Sequence, residues 1–470
     1  MEFSIRGIGI IKEADIKIEG LTVIAGSNNS GKTTVGRALY AITSAVENLT
    51  EKQQTDQALA VFYRIRKVIE PFNEWLSRYG DFSQEEESSN QFINEIFEVR
   101  HMYMFRKRDY YINLLFRLYE SLENGSFIEM LVQKQDDNFK NYKSEILMDW
   151  ENNKEKILCE CRNACEFAES LQNQTRKEFA YKMIDETLQV EFSEQVQSFI
   201  TLREGGTSEL KLKNEERTFY EISISENRIS EEASKFTEGY FERTYFVDDP
   251  YIIEDSTMPA YQARRFGEES HVQIRIMPHR DNMRRMMRNL EPDKVISESI
   301  YREKELRNVM DKIDNIVPGK VIRGVYQTPS GEKLKVGNLA TGSKIFSIIK
   351  KILVSGDITD KTLLILDEPE SHLHPRWINQ LAEVIVLLVR ECNLTVLLTT
   401  HSPNFLLAVD ALMRKYSIRE KCHFYQTELE DDCRIKYIEK TDSLDNIYAD
   451  FATSFSEMNA LRKKYMNLEE

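Results

Sequence analysis

Hydrophobic and polar residues follow different patterns along the chain, and each pattern predicts a different element. Residues 21–25, 362–367 and 394–400 are short runs of mostly apolar and β-branched residues, which are typical of strands buried on both faces of a sheet. Residues 209–213 and 219–224 alternate polar with apolar side chains, which predicts strands with one exposed face. Helices are predicted between the buried strands of the C-terminal half, and this alternation predicts a parallel α/β sheet.

The stretch from about residue 43 to about residue 199 has a helical pattern. It is rich in Glu, Lys, Gln, Asn and aromatic residues and has almost no Pro or Gly. Apolar residues that recur at intervals of three and four lie on one face of a helix. We therefore expect antiparallel helices inserted into the α/β domain. The interval is seen at Ile93, Ile96 and Phe97, and again at Val99, Met102 and Tyr103.

The predicted elements divide the chain into a discontinuous α/β core and three helical segments. The core is expected to be interrupted twice, because strand patterns return after each helical stretch. The core segments are residues 1–43, 201–254 and 317–440; the helical segments are a long insertion for oligomer or partner contacts over 44–200, a smaller subdomain over 255–316 and a tail over 441–470.

Two pairs of strands are predicted in the last core segment. Residues 321–326 and 332–336 flank the turn-forming sequence TPSG and predict a hairpin. Residues 423–427 and 434–439 predict two further strands, separated by an acidic turn.

Composition and charge limit which partners the protein is expected to bind and where in the cell it is expected to be. The 470-residue chain has a formal net charge of −15, whereas a protein that coats nucleic acid without sequence preference is usually basic. No apolar run reaches the ~20 residues that a membrane-spanning helix needs. The six cysteines lack the spacing of a disulfide framework, and the N-terminus lacks the pattern of a secretion signal. We expect a cytoplasmic protein with reduced thiols and no membrane partner.

Residues 26–33 (GSNNSGKT) match the phosphate-binding pattern G-x-x-x-x-G-K-[ST]. The match follows a predicted buried strand and precedes a predicted helix. In that setting backbone N–H groups wrap the phosphates, and the helix dipole favours their charge. Lys32 is expected to reach the β- and γ-phosphates, and the Thr33 hydroxyl to bind Mg²⁺. The candidate phosphate-binding residues are Gly26, Asn28, Asn29, Ser30, Gly31, Lys32, Thr33 and Thr34.

Two carboxylates follow directly from the predicted strand 362–367. The carboxyl end of a buried parallel strand is where α/β sheets bind ligands. Asp367 is expected to hold Mg²⁺. Glu368, one residue later, is the candidate general base that orients and polarises the attacking water.

One further residue and one further turn could contact a phosphate. His401 ends the predicted strand 394–400, where an imidazole can hydrogen-bond a γ-phosphate. Residues 337–344 (GNLATGSK) form a glycine-containing turn that opens a helix, which is again an anion site. This second turn cannot share the phosphates of residues 26–33 within one subunit, but it could reach them across a dimer.

In this order, the four motifs resemble those of the ATP-binding-cassette (ABC) ATPases, in the branch that includes the SMC, RecF and overcoming-lysogenization-defect (OLD) proteins. Residues 368–375 (EPESHLHP) are particularly similar to the OLD branch. The resemblance covers residues 1–43 and about 320–410. It implies an ABC-type P-loop core and a homodimer or higher homo-oligomer with ATP and Mg²⁺ at the interface.

The resemblance also implies which residues face the nucleotide. Ala340 departs from the family pattern, which usually has a serine here that touches the γ-phosphate. Thr341, or backbone N–H groups nearby, are expected to replace it. The sequence DDP at residues 248–250 lies where the family has a water-coordinating loop, but without its glutamine. Lys32, Thr33, Asp367, Glu368 and His401 would act from one protomer, and Leu339, Thr341, Gly342 and Ser343 from the other.

Other clusters allow more than one interpretation. Cys159, Cys161 and Cys165 lack a fourth ligand at metal-site spacing, so we expect ordinary thiols. His372 and His374 are expected to shape the turn after the catalytic strand rather than to bind metal. Two basic patches could bind a nucleic-acid backbone, or could be solvated or partner-binding faces. The patches are Arg280, Arg284, Arg285 and Arg288, and Arg100, Arg106, Lys107 and Arg108.

Two functions are consistent with the resemblance. The first is the sensor or regulatory scaffold of an anti-phage defence system, similar to the stand-alone ATPase subunits of PARIS and Septu. Such a subunit would respond to DNA or a phage protein and control a separate effector such as a nuclease. The second is a DNA-repair or chromosome-maintenance ATPase similar to RecF or SMC, which predicts salt-dependent DNA binding. The net charge of −15 favours the first.

Overall fold

The computed structural model describes residues 1–79, 91–99, 107–132, 137–255, 276–289, 299–354 and 358–466. These residues belong to two compact units. The first unit contains the strands, and the described residues of the second are helical. The first comprises Met1–Glu47 and the described parts of Ala180–Ala260 and Ile276–Glu470, and the second comprises the described part of Asn48–Phe179.

The strands of the described residues form a twelve-stranded mixed sheet and a separate three-stranded sheet. The large sheet has the order β6-β5-β4-β1-β2-β15-β14-β3-β13-β12-β8, with β7 paired to β5, and the small sheet has the order β11-β10-β9. The strands are β1 Glu2–Ile8, β2 Ile11–Lys17, β3 Leu21–Ala25, β4 Ser208–Lys213, β5 Thr218–Ser225, β6 Arg228–Ile229, β7 Lys235–Phe236, β8 Arg243–Val247, β9 Lys320–Ile322, β10 Val325–Gln327, β11 Lys333–Lys335, β12 Thr362–Asp367, β13 Thr395–Thr400, β14 Cys422–Leu429 and β15 Ile435–Glu439.

The helices range from single turns to long amphipathic segments. The α-helices are Lys32–Ser44, Leu49–Tyr79, Gln91–Glu98, Arg108–Glu123, Ser126–Val132, Asp137–Asn173, Arg176–Glu191, Phe199–Arg203, Ile252–Asp255, His279–Asn289, Ser299–Ile316, Thr341–Val354, Pro375–Cys392, Pro403–Lys415 and Asp445–Met466, and short 3₁₀ turns lie at Val336–Asn338 and Arg419–Lys421.

Helices cover both faces of the parallel centre of the sheet. Phe246 of β8 packs on Gly36 of the helix Lys32–Ser44. Its neighbour Val247 belongs instead to the hydrophobic cluster of the helix Pro375–Cys392, because successive side chains of a strand point to opposite faces. Burial on both faces explains why these strands are continuously apolar in sequence. The predicted α/β class, a mixed sheet with a parallel centre and inserted helices, is confirmed.

Five adjacent strands, β14, β3, β13, β12 and β8, run parallel. Their carboxyl ends therefore meet at one edge of the sheet, where ligands of open α/β sheets bind. The residues that follow four of these ends are Gly26 after β3, His401 after β13, Glu368 after β12 and Asp248 after β8. Segments far apart in sequence thus converge on one edge.

The predicted hairpin differs from the observed one. We expected a single strand over residues 321–326, but the chain turns at Arg323 and Gly324 and forms two short strands, β9 and β10. Arg323 has φ 46° and Gly324 has φ 75°, so both occupy the left-handed region that a strand cannot contain. The flanking apolar residues resemble one continuous strand, and the pattern conceals the turn.

The second unit has a hydrophobic core of its own. Our expectation for the helical insertion ran from residue 44 to residue 200, and the described residues of the second unit lie between residues 48 and 179. Its core joins helices that are distant in sequence. Met102 and Tyr103 of the predicted helical pattern lie outside the described residues. Core members include Phe62, Ile65, Phe72, Leu115, Leu118 and Trp150.

The remaining predicted helical segments also contain helices. Within the described part of 255–316 these are His279–Asn289 and Ser299–Ile316, and within 441–470 the helix is Asp445–Met466. Across the described ranges, no helix combines the length and the apolar character that crossing a bilayer requires.

Candidate active site

The loop between β3 and the helix Lys32–Ser44 curls tightly. Asn29 has φ 62° and Gly31 has φ 75°, both in the left-handed region. Asn28 and Asn29 are exposed. The Thr34 N–H donates to the Gly31 carbonyl 3.0 Å away and starts the helix. The helix N-terminus therefore opens onto the loop, as an anion site requires.

Lys32 lies inside this loop with only 4% of its surface exposed. Its ammonium donates to the carbonyl oxygens of Gly26 at 3.0 Å and Ser27 at 2.7 Å. It also lies 3.2 Å from Glu368 Oε1. The lysine charge is thus held between the loop and the end of β12.

Asp367 is joined to the loop by a short hydrogen bond. The Thr33 hydroxyl donates to Asp367 Oδ2 at 2.6 Å, and the Thr399 hydroxyl donates to Oδ1. Burial raises the pKa of Asp367, and the charges of Glu368 and Asp248 add to that effect, while the two hydroxyl hydrogen bonds oppose it. A cation at this carboxylate would offset the cost of burying its charge.

Glu368 lies in a sharp turn after β12. Its φ of 48° is in the left-handed region, and its N–H donates to the Thr399 carbonyl at 3.2 Å. The turn directs the carboxylate towards two nitrogen groups: Oε1 faces the Lys32 ammonium, and Oε2 lies 3.1 Å from Nδ1 of His401. Both side chains that the sequence predicts to be catalytic are therefore adjacent.

The residues present fit a magnesium triphosphate. Ser30 Oγ is buried and has no hydrogen-bond partner among the described residues, although it lies in the loop that would bind phosphate. Position 26 has room only for glycine, because a Cβ there would lie 2.0 Å from Thr427 Oγ1. Thr33 and Asp367 offer the hard oxygen ligands that Mg²⁺ prefers.

The turn at residues 337–344 opens the helix Thr341–Val354. The Thr341 hydroxyl hydrogen-bonds the Tyr251 hydroxyl at 3.1 Å. A Cβ on Gly342 would lie 2.7 Å from the Trp377 ring, so close packing requires glycine there. Within the described residues, no hydrogen bond or ion pair joins Leu339, Thr341, Gly342 or Ser343 to the Lys32–Asp367 cluster. By contrast, a hydrogen bond joins Thr33 to Asp367, and Lys32 and His401 both lie close to the Glu368 carboxylate.

A buried network beside Asp367 was missed by our sequence reasoning. His279 Nδ1 lies 2.7 Å from Glu191 Oε2, and Nε2 lies 3.0 Å from Asp248 Oδ2. Burial lowers the pKa of His279, but the hydrogen bonds and charges of the two carboxylates together raise it above its ordinary value. Arg280 donates to the same Asp248 oxygen at 2.7 Å. In sequence, only the acidic pair at 248–249 marks this network.

Glu370 was also missed as a separate group. It is 3% exposed, and its carboxyl accepts a hydrogen bond from the Thr400 hydroxyl, beside His401. Its position two residues after Glu368 is the only signal in the sequence.

The clusters that we did not assign to a metal have ordinary partners. Cys161 and Cys165 are buried, and Cys159 is exposed. His374 accepts from the Arg376 N–H and caps the helix Pro375–Cys392. The acidic turn between β14 and β15 is ion-paired, for example through Asp432 and Arg434.

A family model described as an AAA ATPase domain matches residues 1–406. The chain belongs to this AAA ATPase domain family. No curated protein matches this ATPase. Among solved structures, it is similar to an SMC head domain from Thermotoga maritima, with 8% identity, 93% of this chain and 97% of that chain covered, and a TM-score of 0.33. It is similar to an Smc head domain with a coiled coil and joint derived from Pyrococcus yayanosii, with 9% identity, 96% and 99% covered, and a TM-score of 0.34.

Proposed function

We propose that this ATPase binds MgATP on residues 26–33 and hydrolyses it with Glu368 as the general base. The observation that carries the proposal is the convergence of two segments more than three hundred residues apart. Thr33 Oγ1 lies 2.6 Å from Asp367 Oδ2, and Lys32 Nζ lies 3.2 Å from Glu368 Oε1. Phosphate, metal and water would thus contact groups that already touch one another.

Each side chain has a distinct task in the proposed reaction. Lys32 exchanges the loop carbonyls for phosphate oxygens. Thr33 and Asp367 would hold Mg²⁺, which would neutralise phosphate charge. Glu368 accepts a proton from water as the water oxygen bonds to the γ-phosphorus. The bond from that phosphorus to the bridging oxygen breaks, and ADP leaves. His401 steadies the γ-phosphate beside the base.

A second copy of the chain would complete the site. Leu339, Thr341, Gly342 and Ser343 begin a helix whose N-terminal N–H groups suit the γ-phosphate of a partner protomer. Tyr251 holds the Thr341 hydroxyl, and so fixes the side chain that would replace the family's serine. ATP at this interface would favour closure of the pair, and hydrolysis would reopen it.

We further propose that this ATPase is the sensor or regulatory scaffold of an anti-phage defence system that controls a separate effector such as a nuclease. The similarity of residues 368–375 to the OLD branch supports this role. The helical unit, with its own core, supplies a candidate surface for a partner or a trigger. Two arginines of one basic patch are engaged within the chain, Arg280 with Asp248 and Arg284 with Asp281, which lowers the case for a nucleic-acid surface there.

The ATPase proposal is tested with two variants. Lys32→Ala should abolish ATP binding because it removes the buried cation of the loop. Glu368→Gln should bind ATP but lower kcat by roughly a hundredfold or more, because an amide cannot accept the proton. ATP binding is measured by fluorescence of a labelled analogue, and turnover by phosphate release. Wild-type turnover in Glu368→Gln would refute the assigned base.

The defence role is tested by co-expression with the neighbouring genes. We expect a neighbouring product to co-purify with the wild type, and its activity to change in Lys32→Ala. DNA binding is measured in parallel at low and high salt. Strong, salt-dependent DNA stimulation of hydrolysis without any co-purifying product would favour the repair or chromosome-maintenance alternative instead.

A further inference from the structure

Glu370 carries a carboxyl group that the proposed reaction does not use. It follows the turn after β12, and its side chain is buried under the end of β13 with 3% exposure. One oxygen, Oε1, accepts a hydrogen bond from the Thr400 hydroxyl. The other, Oε2, is buried without a hydrogen-bond partner among the described residues. Burying a carboxyl oxygen without a hydrogen bond costs free energy, so this group calls for an explanation.

The partner of Glu370 fixes the backbone on both sides of His401. Thr400 precedes the histidine, and its hydroxyl accepts a hydrogen bond from the Ser402 N–H at 3.0 Å. The same hydroxyl donates to Glu370. The Glu370 carboxyl therefore orients the Thr400 hydroxyl, which in turn holds the backbone of Ser402. His401 therefore lies in a turn that is hydrogen-bonded, through Thr400, to Glu370 just after β12.

Thr400 also reaches the phosphate-binding loop. Its carbonyl accepts a hydrogen bond from the Gly26 N–H at 3.3 Å. On the opposite face of β13, the Thr399 hydroxyl bonds the Asp367 carboxylate. The end of β13 is thus tied to β12 by two threonine–carboxylate pairs, one for the proposed metal ligand and one for Glu370.

The environment of Glu370 raises the pKa of its carboxyl group. Burial raises its pKa to about 7, and the charge of Glu368 acts in the same direction. The Thr400 hydrogen bond, its own backbone N–H and the charge of His401 oppose that shift. Because a protonated carboxyl keeps Oε1 as an acceptor, glutamine at this position would preserve both its shape and its contact with Thr400.

We propose that Glu370 is a positioning residue for His401 and acts through the Thr400 hydroxyl. The inference depends on the proposed ATP hydrolysis, in which His401 steadies the γ-phosphate. Loss of the carboxyl frees the Thr400 hydroxyl, the turn at 400–402 moves, and the imidazole leaves the position it needs beside Glu368.

The test compares Glu370→Ala with Glu370→Gln, and Thr400→Val with Thr400→Ser. In each pair the first substitution removes one partner of the contact, and the second keeps it. We expect Ala and Val to lower kcat by roughly tenfold to a hundredfold, since displacement by about 1 Å has such costs. Gln and Ser should recover most of that loss. The KM for ATP should change little in all four, because none of the removed atoms contacts the phosphate-binding side chains.

Two further measurements separate the possible failures. Thermal unfolding of each variant reports whether it folds; if Glu370→Ala does not, the threonine pair still decides. The double variant Glu370→Ala/Thr400→Val should be no slower than the slower single variant, because both act on one contact. Equal kcat in Glu370→Ala and Glu370→Gln, or additive losses in the double variant, would overturn the inference. Glu368→Gln, assayed alongside, shows separately whether the proposed hydrolysis itself fails.

Discussion

Gly26 marks how closely the strands pack around the phosphate-binding loop. A Cβ built on Gly26 would lie 2.0 Å from Thr427 Oγ1 and 2.9 Å from Ser30 Oγ. The motif pattern requires glycine here, but its physical reason is a side chain from β14, four hundred residues away. The loop therefore has its shape because the sheet leaves no space for any other residue.

Gly26→Ala should distort the loop and weaken ATP binding. Overpacking of this kind costs about 1–3 kcal/mol. If the displaced loop must recover its shape to bind ATP, affinity should fall by roughly fivefold to a hundredfold. Thr427→Ala removes the colliding hydroxyl, and in combination with Gly26→Ala it should recover part of the loss. Titration with a fluorescent ATP analogue measures both effects. A Gly26→Ala protein that binds ATP as tightly as the wild type would show that the loop can move away from β14.

Glu383 joins three helices of the first unit. It lies on the helix Pro375–Cys392 and accepts hydrogen bonds from Lys312 of the helix Ser299–Ile316. It also accepts hydrogen bonds from Lys415 and Tyr416, at the end of the helix Pro403–Lys415. Burial alone would raise its pKa, but Tyr416, Lys312 and Lys415 together lower it to about 2. This shift means that the folded state favours the carboxylate.

Glu383→Gln should therefore destabilise the protein in a pH-dependent way. Since the folded-state pKa lies below the ordinary value of 4.5, the contribution is complete above that value and is lost as the pH falls towards about 2. The difference in unfolding free energy between wild type and variant should be constant near neutral pH and shrink in acid. Urea denaturation at several pH values measures it. A difference that persists unchanged in acid would point to packing rather than charge.

The whole molecule is expected to work as a pair. Ala340 is exposed at the start of the helix Thr341–Val354, where a partner's triphosphate would approach. A carboxylate there would repel the phosphates. Ala233 is exposed elsewhere in the first unit and accepts the same substitution as a matched control.

In a Glu368→Gln background with MgATP, Ala340→Glu should abolish the dimer, and Ala233→Glu should leave it intact. Sedimentation velocity with and without nucleotide measures the association. Since the substituted side chain lies away from the Lys32–Asp367 cluster, nucleotide binding by the monomer should remain. An Ala340→Glu protein that still dimerises with MgATP would place the interface elsewhere.

Much of the core could be predicted from local pattern. The runs 21–25, 362–367 and 394–400 became β3, β12 and β13 within one residue, because a strand buried on both faces must be apolar throughout. The hairpin was harder to predict. Arg323 and Gly324 form a turn with positive φ, but the apolar residues on either side make the segment look like one continuous strand. The domain division and the roles of the site residues remain predictions.

The contacts of the site arose from the order of the strands. Sequence identified Lys32, Asp367 and His401 as strand-end or loop groups, since each stands beside a local hydrophobic signal. It could not identify Glu370 or His279, because burial and partners reach them from segments thirty to almost ninety residues away. The local hydrophobic pattern that predicts each strand or helix depends only on neighbouring residues, so the sequence determines it directly. Packing between β12, β13 and β8 depends on the folded sheet, and it is this packing that makes one carboxyl a buried anchor and another an exposed acid.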